Sequence, residues 1–308
     1  MSATRRLVTE RPNPASRDLD LLSPVAIARL MNREDARAVR AVGRVAGAIA
    51  TAVELIVASL RRGGRLVFVG AGTSGRLGVL EAAECPPTFG TSAAMVQAIM
   101  AGGRASVFRS REGAEDDARR AAREIARRVR PGDVVVGISA SGVTAFVRAA
   151  LAASRRRGAG TVLLSCNPGT ESSRRAADVV ITPSPGPEVL AGSTRLKAGT
   201  ATKLVLNTLT MATMARLGKI HKNRMVDLQP RSRKLRERAV GLVEELGGVS
   251  RARAVRLLRD AKGNVRVAIL TARTGWPPRV AARALRDAGG SLRRVMKSEL
   301  KGAARRAR

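Results

Sequence analysis

The chain has 308 residues, enough for one large domain and a smaller one, and 44% of them are hydrophobic, an ordinary share for a globular protein. No apolar run approaches the roughly 18 residues that span a bilayer, no apolar stretch follows the basic N-terminus as in a secretory signal, and two cysteines with one histidine exclude a disulfide framework or a cysteine metal site and leave a histidine triad only His221. The 57 Lys and Arg against 24 Asp and Glu give a net charge of +33, but the basic residues are scattered singly and aromatics make up only 2%, so a solvated arginine-rich surface is expected rather than a nucleic-acid-binding face.

Residues 1–20 read as an extended arm, in which Pro12, Asn13 and Pro14 discourage regular structure. Ser23-Pro24 opens a helix, the serine capping and the proline in the first turn. From Glu34 to Arg62, Val39, Val42, Val45, Ile49, Val53, Ile56 and Leu60 recur at helical spacing, and Gly63-Gly64 stops that helix. Short continuous apolar runs follow at 66–69, 134–138, 161–164 and 179–181, with a further strand at 94–99. Helices are expected between them at 74–83, 114–128, 144–157 and 172–177. Strands alternating with helices imply a parallel sheet covered on both faces, with ligands beyond the carboxyl ends of its strands.

A long helix over 195–217 leads into a helical tail with a weak internal repeat. LRDAKGNVR (258–266) matches LRDAGGSLR (285–293), each copy reading as a helix, a glycine stop and a new helix start. The chain thus divides into an arm with helices packing on the core (1–62), a core (63–228), and a small all-helical module with a basic tail (229–308).

Strand 66–69 runs into Gly70-Ala-Gly-Thr-Ser-Gly75, which fits neither a dinucleotide fingerprint nor a P-loop but presents Thr73, Ser74 and free amides at a helix start. Strand 134–138 runs into Ser139-Ala-Ser141-Gly-Val-Thr144, again hydroxyls and a glycine before a helix. Two such loops suggest one bound phosphate. No metal motif accompanies them, so the phosphate reads as a binding handle.

GAGTSGRLGVLEAAECPPTFG (70–90), EGAED (112–116), SCNPG (165–169), GPEVLAGSTRLKAGTATKLVLNTL (186–209) and MVD (225–227) together resemble the signature of the N-acetylmuramic acid 6-phosphate etherases, and the opening TERPNPASRDLDLLS is similar to that family's N-terminus. The resemblance covers about residues 8–300. It implies an α/β fold of the sugar-isomerase (SIS) type, with a five-stranded parallel sheet flanked by helices and a C-terminal helical module. It also implies a cytoplasmic homodimer, a sugar-phosphate substrate, no cofactor, no membrane partner, and cleavage of a lactyl ether. On the matched positions Glu84 is the acid that protonates lactate and Glu115 the base at carbon 2. Glu188 and Lys197, in the 186–209 segment, join Thr73, Ser74, Ser141 and Thr144 as substrate-binding candidates. Cys85 and Cys166 are expected to be buried and inert, and His221 to lie at the surface.

This sequence departs from the family pattern at Val143, Thr202, Arg224 and Pro230-Arg231-Ser232. Alternative readings on the same fold are a non-catalytic sugar-phosphate sensor, like the glucokinase regulatory proteins, and an aldose–ketose isomerase. Charge alone suggests a third, a nucleic-acid-binding protein.

Overall fold

The computed structural model describes residues 7–168, 176–230 and 232–298. The chain forms two compact units, one of Met1–Ala83 with Ala93–Thr210 and one of Glu84–Ser92 with Met211–Arg308.

In the first unit the arm is not loosely extended. It makes three short 3-10 turns, Val8–Glu10, Pro14–Ser16 and Leu19–Leu21, and buries Thr9, Asn13 and Ser16. Helix α1 (Pro24–Gly43) starts as its sequence requires, with the Ser23 hydroxyl accepting from the Ala26 amide. The single helix expected over 34–62 is instead two. Val45 leaves helical geometry (φ −106°, ψ 17°) between Gly43 and Gly47, and α2 (Ala46–Arg61) departs at 58° to α1. No single helix among the described residues is long and apolar enough to cross a membrane.

Five strands follow: β1 (Leu66–Gly70), β2 (Val96–Met100), β3 (Val134–Ile138), β4 (Gly160–Leu164) and β5 (Val179–Ile181). They form one parallel sheet in the order β2-β1-β3-β4-β5. Every residue of β1 and β3 is buried, because helices cover both faces. On one face Val67, Val69, Ile99, Val135 and Leu163 pack with α4 (Ala118–Arg128) and α5 (Ala145–Arg156). There Gly137 allows close approach, since a β-carbon on it would stand 2.8 Å from Val147 and 2.9 Å from Leu151. On the other face α3 (Gly72–Phe89) lays Gly78 against Phe68 and Ile138, and Leu55 of α2 lies over Gly160.

Three expectations change here. Helix α3 does not stop at Ala83 but runs through Pro86 and Pro87 to Phe89, passing into the second unit at Glu84. The helix expected from Ala114 begins only at Ala118, capped by the Asp117 carboxylate on the Arg120 amide, so residues 111–117 form a loop. The helix expected over 172–177 has 172–175 outside the described residues, and 176 and 177 form a bend.

Helix α6 (Lys197–Arg216) enters the second unit at Met211. That unit is helical: α7 (Arg233–Gly247), α8 (Arg251–Asp260), α9 (Val265–Thr274), α10 (Pro278–Asp287) and a further helical run over 292–298. Val243, Leu246, Leu258, Ile269, Leu270, Leu285 and Leu292 form its core. The repeat is real structure, since α8 and α10 each end before a left-handed glycine (Gly263, Gly290) and a new helix starts behind it. His221, expected at the surface, is 8% exposed in this unit.

Candidate active site

Strands β1 and β3 are neighbours, Gly70 pairing with Ile138, yet α3 leaves to one face of the sheet and α5 to the other. This is the topological switch point, where open parallel sheets leave a crevice beyond their carboxyl ends. The two hydroxyl-bearing loops both open there.

The first loop is made by glycine contact. A β-carbon on Gly70 would stand 2.6 Å from the Gly75 nitrogen, and one on Gly75 would strike Met100 Sδ and the Gly70 carbonyl. Gly72 has φ +52°, which glycine adopts at no steric cost. The tight turn brings Thr73 and Ser74 into the first turn of α3, partly exposed, their hydroxyls without a hydrogen-bond partner among the described residues. The first amides of α3 lack intrahelical partners for the same reason that any helix start does. Free amides at a helix start are the kind of group that suits an anion.

The second loop is built around Ser139, which is 2% exposed and was not singled out from sequence. Its hydroxyl lies 2.8 Å from Thr144 Oγ1 and 3.3 Å from Ser141 Oγ, and it accepts from the Gly142 amide at 3.0 Å. Ser141 Oγ accepts from the Val143 amide at 3.2 Å. Thr144 precedes α5 but does not cap it, because its hydroxyl is directed to Ser139.

Glu115 reaches this loop through its backbone. The Phe146 amide, in the first turn of α5, donates to the Glu115 carbonyl at 2.9 Å, and the Glu115 carboxylate is exposed. From the other side Arg76 of α3 holds the segment leading to it, Nε donating to Val107 O at 2.9 Å and Nη2 to Ser106 O at 3.0 Å. Between the start of α3 and the loop carrying Glu112 and Glu115 lies a cavity of about 200 Å³. The second carboxylate, Glu84, is exposed on the part of α3 that belongs to the second unit.

The structure places Glu188 and Lys197 away from solvent, each 0% exposed. The Glu188 carboxylate accepts from the Lys197 and Ala198 amides at 2.8 and 2.9 Å and so caps the start of α6. Burial, with Asp35 adding to it, pushes Glu188 above the usual carboxylate range against those two bonds. Lys197 Nζ pairs with buried Glu34 at 2.5 Å and donates to Pro187 O at 2.9 Å. Burial raises Glu34, but hydrogen bonds from Lys197 and Asn13 outweigh it and hold the carboxyl low. Thr73 lies beside this helix start, its methyl 3.8 Å from where a β-carbon on Gly199 would be.

The N-terminal arm closes the frame. Asn167 Nδ2 donates to the Ala140 carbonyl at 2.8 Å and to Thr9 Oγ1 at 3.1 Å, while its Oδ1 accepts from the Val8 amide at 2.7 Å. Asn13 donates to Glu34, and the Ser16 hydroxyl to Val189 O at 2.7 Å. No periodicity marks such residues, since their partners lie from about twenty to more than a hundred and fifty positions away. The cysteines are buried as expected, and burial pushes the Cys166 thiol up to about 12. Among the described residues no group of three or more His, Cys, Asp or Glu could hold a metal ion.

In the second unit Asp227 of the MVD segment is fixed by Lys219 Nζ and Arg266 Nη2, both at 2.6 Å. Its carbonyl stands where a β-carbon on Gly90 would be, which accounts for the glycine after Phe89. Arg224, one of the departures from the family pattern, pairs in two-pronged fashion with Glu245.

Family models match at residues 48–155, for the N-terminal SIS domain of glucokinase regulatory protein, and at 116–212, for the SIS domain. Among solved structures, a phosphoheptose isomerase from Neisseria gonorrhoeae is similar over 61% of this chain and 97% of its own, at 20% identity and a TM-score of 0.48. The N-acetylmuramic acid 6-phosphate etherase of Symbiobacterium thermophilum is 50% identical over 88% of this chain and 90% of its own length, and that of Gloeobacter violaceus is 51% identical over 93% and 94%. At that identity and coverage, the chain belongs to the N-acetylmuramic acid 6-phosphate etherase family.

Proposed function

We propose that this protein cleaves the D-lactyl ether of N-acetylmuramic acid 6-phosphate, giving N-acetylglucosamine 6-phosphate and D-lactate in the recycling of cell-wall amino sugars. The observation that carries the reading is the Phe146–Glu115 hydrogen bond, which ties a solvent-facing carboxylate to the hydroxyl loop of an etherase-family chain. An ether resists direct displacement. With the sugar ring open, the aldehyde acidifies the proton on carbon 2, and Glu115 takes it. The electron pair forms the carbon 2–carbon 3 double bond as the carbon 3–oxygen bond breaks. Glu84, assigned as acid from its matched motif, gives the departing lactate oxygen a proton, and water then adds across the double bond. The sequence needs a base and an acid but no nucleophilic side chain.

Thr73, Ser74, Ser141 and Thr144 hold the 6-phosphate through hydroxyls, together with the helix-start amides. Glu188 and Lys197 serve the site by fixing the start of α6 beside Thr73 rather than by facing the ligand. The protein is read as a cytoplasmic homodimer; Leu21, Val25 and Val39 are 80%, 59% and 55% exposed and offer apolar surface for a second copy. The match to the glucokinase regulatory SIS domain favours one other reading, a non-catalytic sugar-phosphate sensor. Incubating the purified protein with N-acetylmuramic acid 6-phosphate and measuring D-lactate separates them: release is expected, and binding without release would leave the sensor.

A further inference from the structure

Elimination fixes a distance on the substrate itself. The lactyl ether hangs from carbon 3, next to the carbon whose proton the base removes, so the lactyl carboxylate lies close to whichever side chain is that base. Here, resting on the assignment of Glu115 as base, the neighbourhood is the cavity of about 200 Å³ between the start of α3 and the Glu112–Glu115 loop. At roughly 30 Å³ for each water-sized group, it has room for the heavy atoms of a three-carbon hydroxy acid. Two glutamates line it, Glu112 and Glu115, so an anionic lactyl group needs fixed positive charge there.

Two arginines provide it. Arg76 is held by the Ser106 and Val107 carbonyls through Nη2 and Nε, which leaves Nη1 without a partner among the described residues. Its charge therefore stays at the cavity wall before any ligand arrives. Arg111 lines the same cavity, is exposed, and makes no ion pair among the described residues. The hydroxyl loops carry no side-chain charge of this kind; they suit a phosphate met by amides and hydroxyls.

We propose that this cavity is the subsite for the lactyl carboxylate, with Arg76 as its anchored countercharge and Arg111 as its solvent-facing one. Phosphate and carboxylate would then be read by different groups, hydroxyls and amides for the one and arginines for the other, and Arg111 would set specificity for the ether over lactate-free sugar phosphates.

The test compares two reactions of one protein. Lactate release is measured from N-acetylmuramic acid 6-phosphate, and deuterium uptake at carbon 2 from N-acetylglucosamine 6-phosphate, which has the phosphate but no lactyl group. Arg111→Gln should lower kcat/KM for lactate release about ten- to hundredfold more than for deuterium uptake, the worth of a charge-assisted hydrogen bond. Arg76→Lys should show the same asymmetry, although it also loosens the Glu115 segment. Converting the substrate carboxylate to its primary amide should cost the wild type a similar factor and make Arg111→Gln nearly silent. The subsite is overturned if both variants change the two reactions equally, or if the wild type handles the amide as well as the acid. Failure of the base assignment is seen separately, as deuterium uptake that survives in Glu115→Gln.

Discussion

At the end of β1 the chain turns into α3 by pressing two glycines together, whereas at the end of β3 it turns into α5 around three hydroxyls that bond to one another. The first loop leaves Thr73 and Ser74 without side-chain partners among the described residues, so their hydrogen-bonding capacity is available to a ligand. The second has its hydroxyls already oriented, with Ser139 buried as the hub. It is tied outward as well, to Glu115 through the Phe146 amide and to the arm through Asn167 and Ala140. A loop shaped by missing side chains is rigid because nothing else fits. A loop shaped by hydroxyls is rigid only while each keeps its partner.

The largest expected effect is at the carboxylate hung from the second loop. Glu115→Gln should abolish both lactate release and carbon 2 proton exchange, and Glu84→Gln should stop release while some exchange survives; each loss is typically ~100- to 10,000-fold. Exchange that persists in Glu115→Gln but not in Glu84→Gln would reverse the two roles.

Next come the hydroxyls. Ser74→Ala and Ser141→Ala should each weaken substrate binding by about 1.5–3 kcal/mol, the worth of a hydrogen bond to a charged group. Ser74→Ala should leave the melting temperature of the unliganded protein in place, while Ser139→Ala should lower it. Equal melting temperatures for all three would remove the contrast between the loops.

The glycines sharpen it further. Gly75→Ala drives a methyl into Met100 and a backbone carbonyl, and should lose about 1–3 kcal/mol or more in urea unfolding. Gly142→Ala meets only Ser165 at ordinary contact, 3.4 Å, and should lose about 1–2 kcal/mol, the strain of its φ of +78° alone. A larger loss at Gly142 than at Gly75 would contradict the packing argument.

The smallest effect lies in the second unit. Burial, then the charges of Arg293, Lys222 and Arg273, depress His221, whose Nδ1 has no partner among the described residues. The unfolded chain therefore takes up that proton first, so stability is present above the ordinary histidine pKa of about 6.5 and falls as pH drops below it. His221→Gln should flatten the acid limb of a melting-temperature profile while leaving both loops unaffected. An unchanged limb would assign the acid sensitivity elsewhere.

Much of the sheet was legible because a strand buried on both faces must be apolar throughout. Residues 134–138 and 179–181 read as strands and are strands to the residue. The tail repeat was legible because each glycine stop demands a left-handed residue. Helix ends were harder. The helix expected over 74–83 runs on through Pro86 and Pro87 to Phe89, and the single helix expected over 34–62 breaks between Gly43 and Gly47. In both places packing overrides local preference.

The candidate site divides in the same way. The hydroxyl loops and both glutamates stood out in the chain because glycines and hydroxyls at a strand-to-helix turn have a local signature, and because the surrounding motifs match a family. Buried Glu34, the hub Ser139, the pin Asn167 and the clamp Arg76 had no such mark. Glu34, Asn167 and Arg76 act through partners distant in the chain or through carbonyls that any residue could offer, and Ser139 differs from its neighbouring hydroxyls only in being buried. The sequence by itself determined the alternation of strands and helices, the chemistry of the loops and the family, since periodicity and local motifs are properties of neighbours. Only the tertiary structure decided which helix leaves to which face, how Glu115 is tied to the second loop, and that Glu188 and Lys197 hold a helix start. Those depend on hydrogen bonds that form only once the sheet has brought its strand ends together.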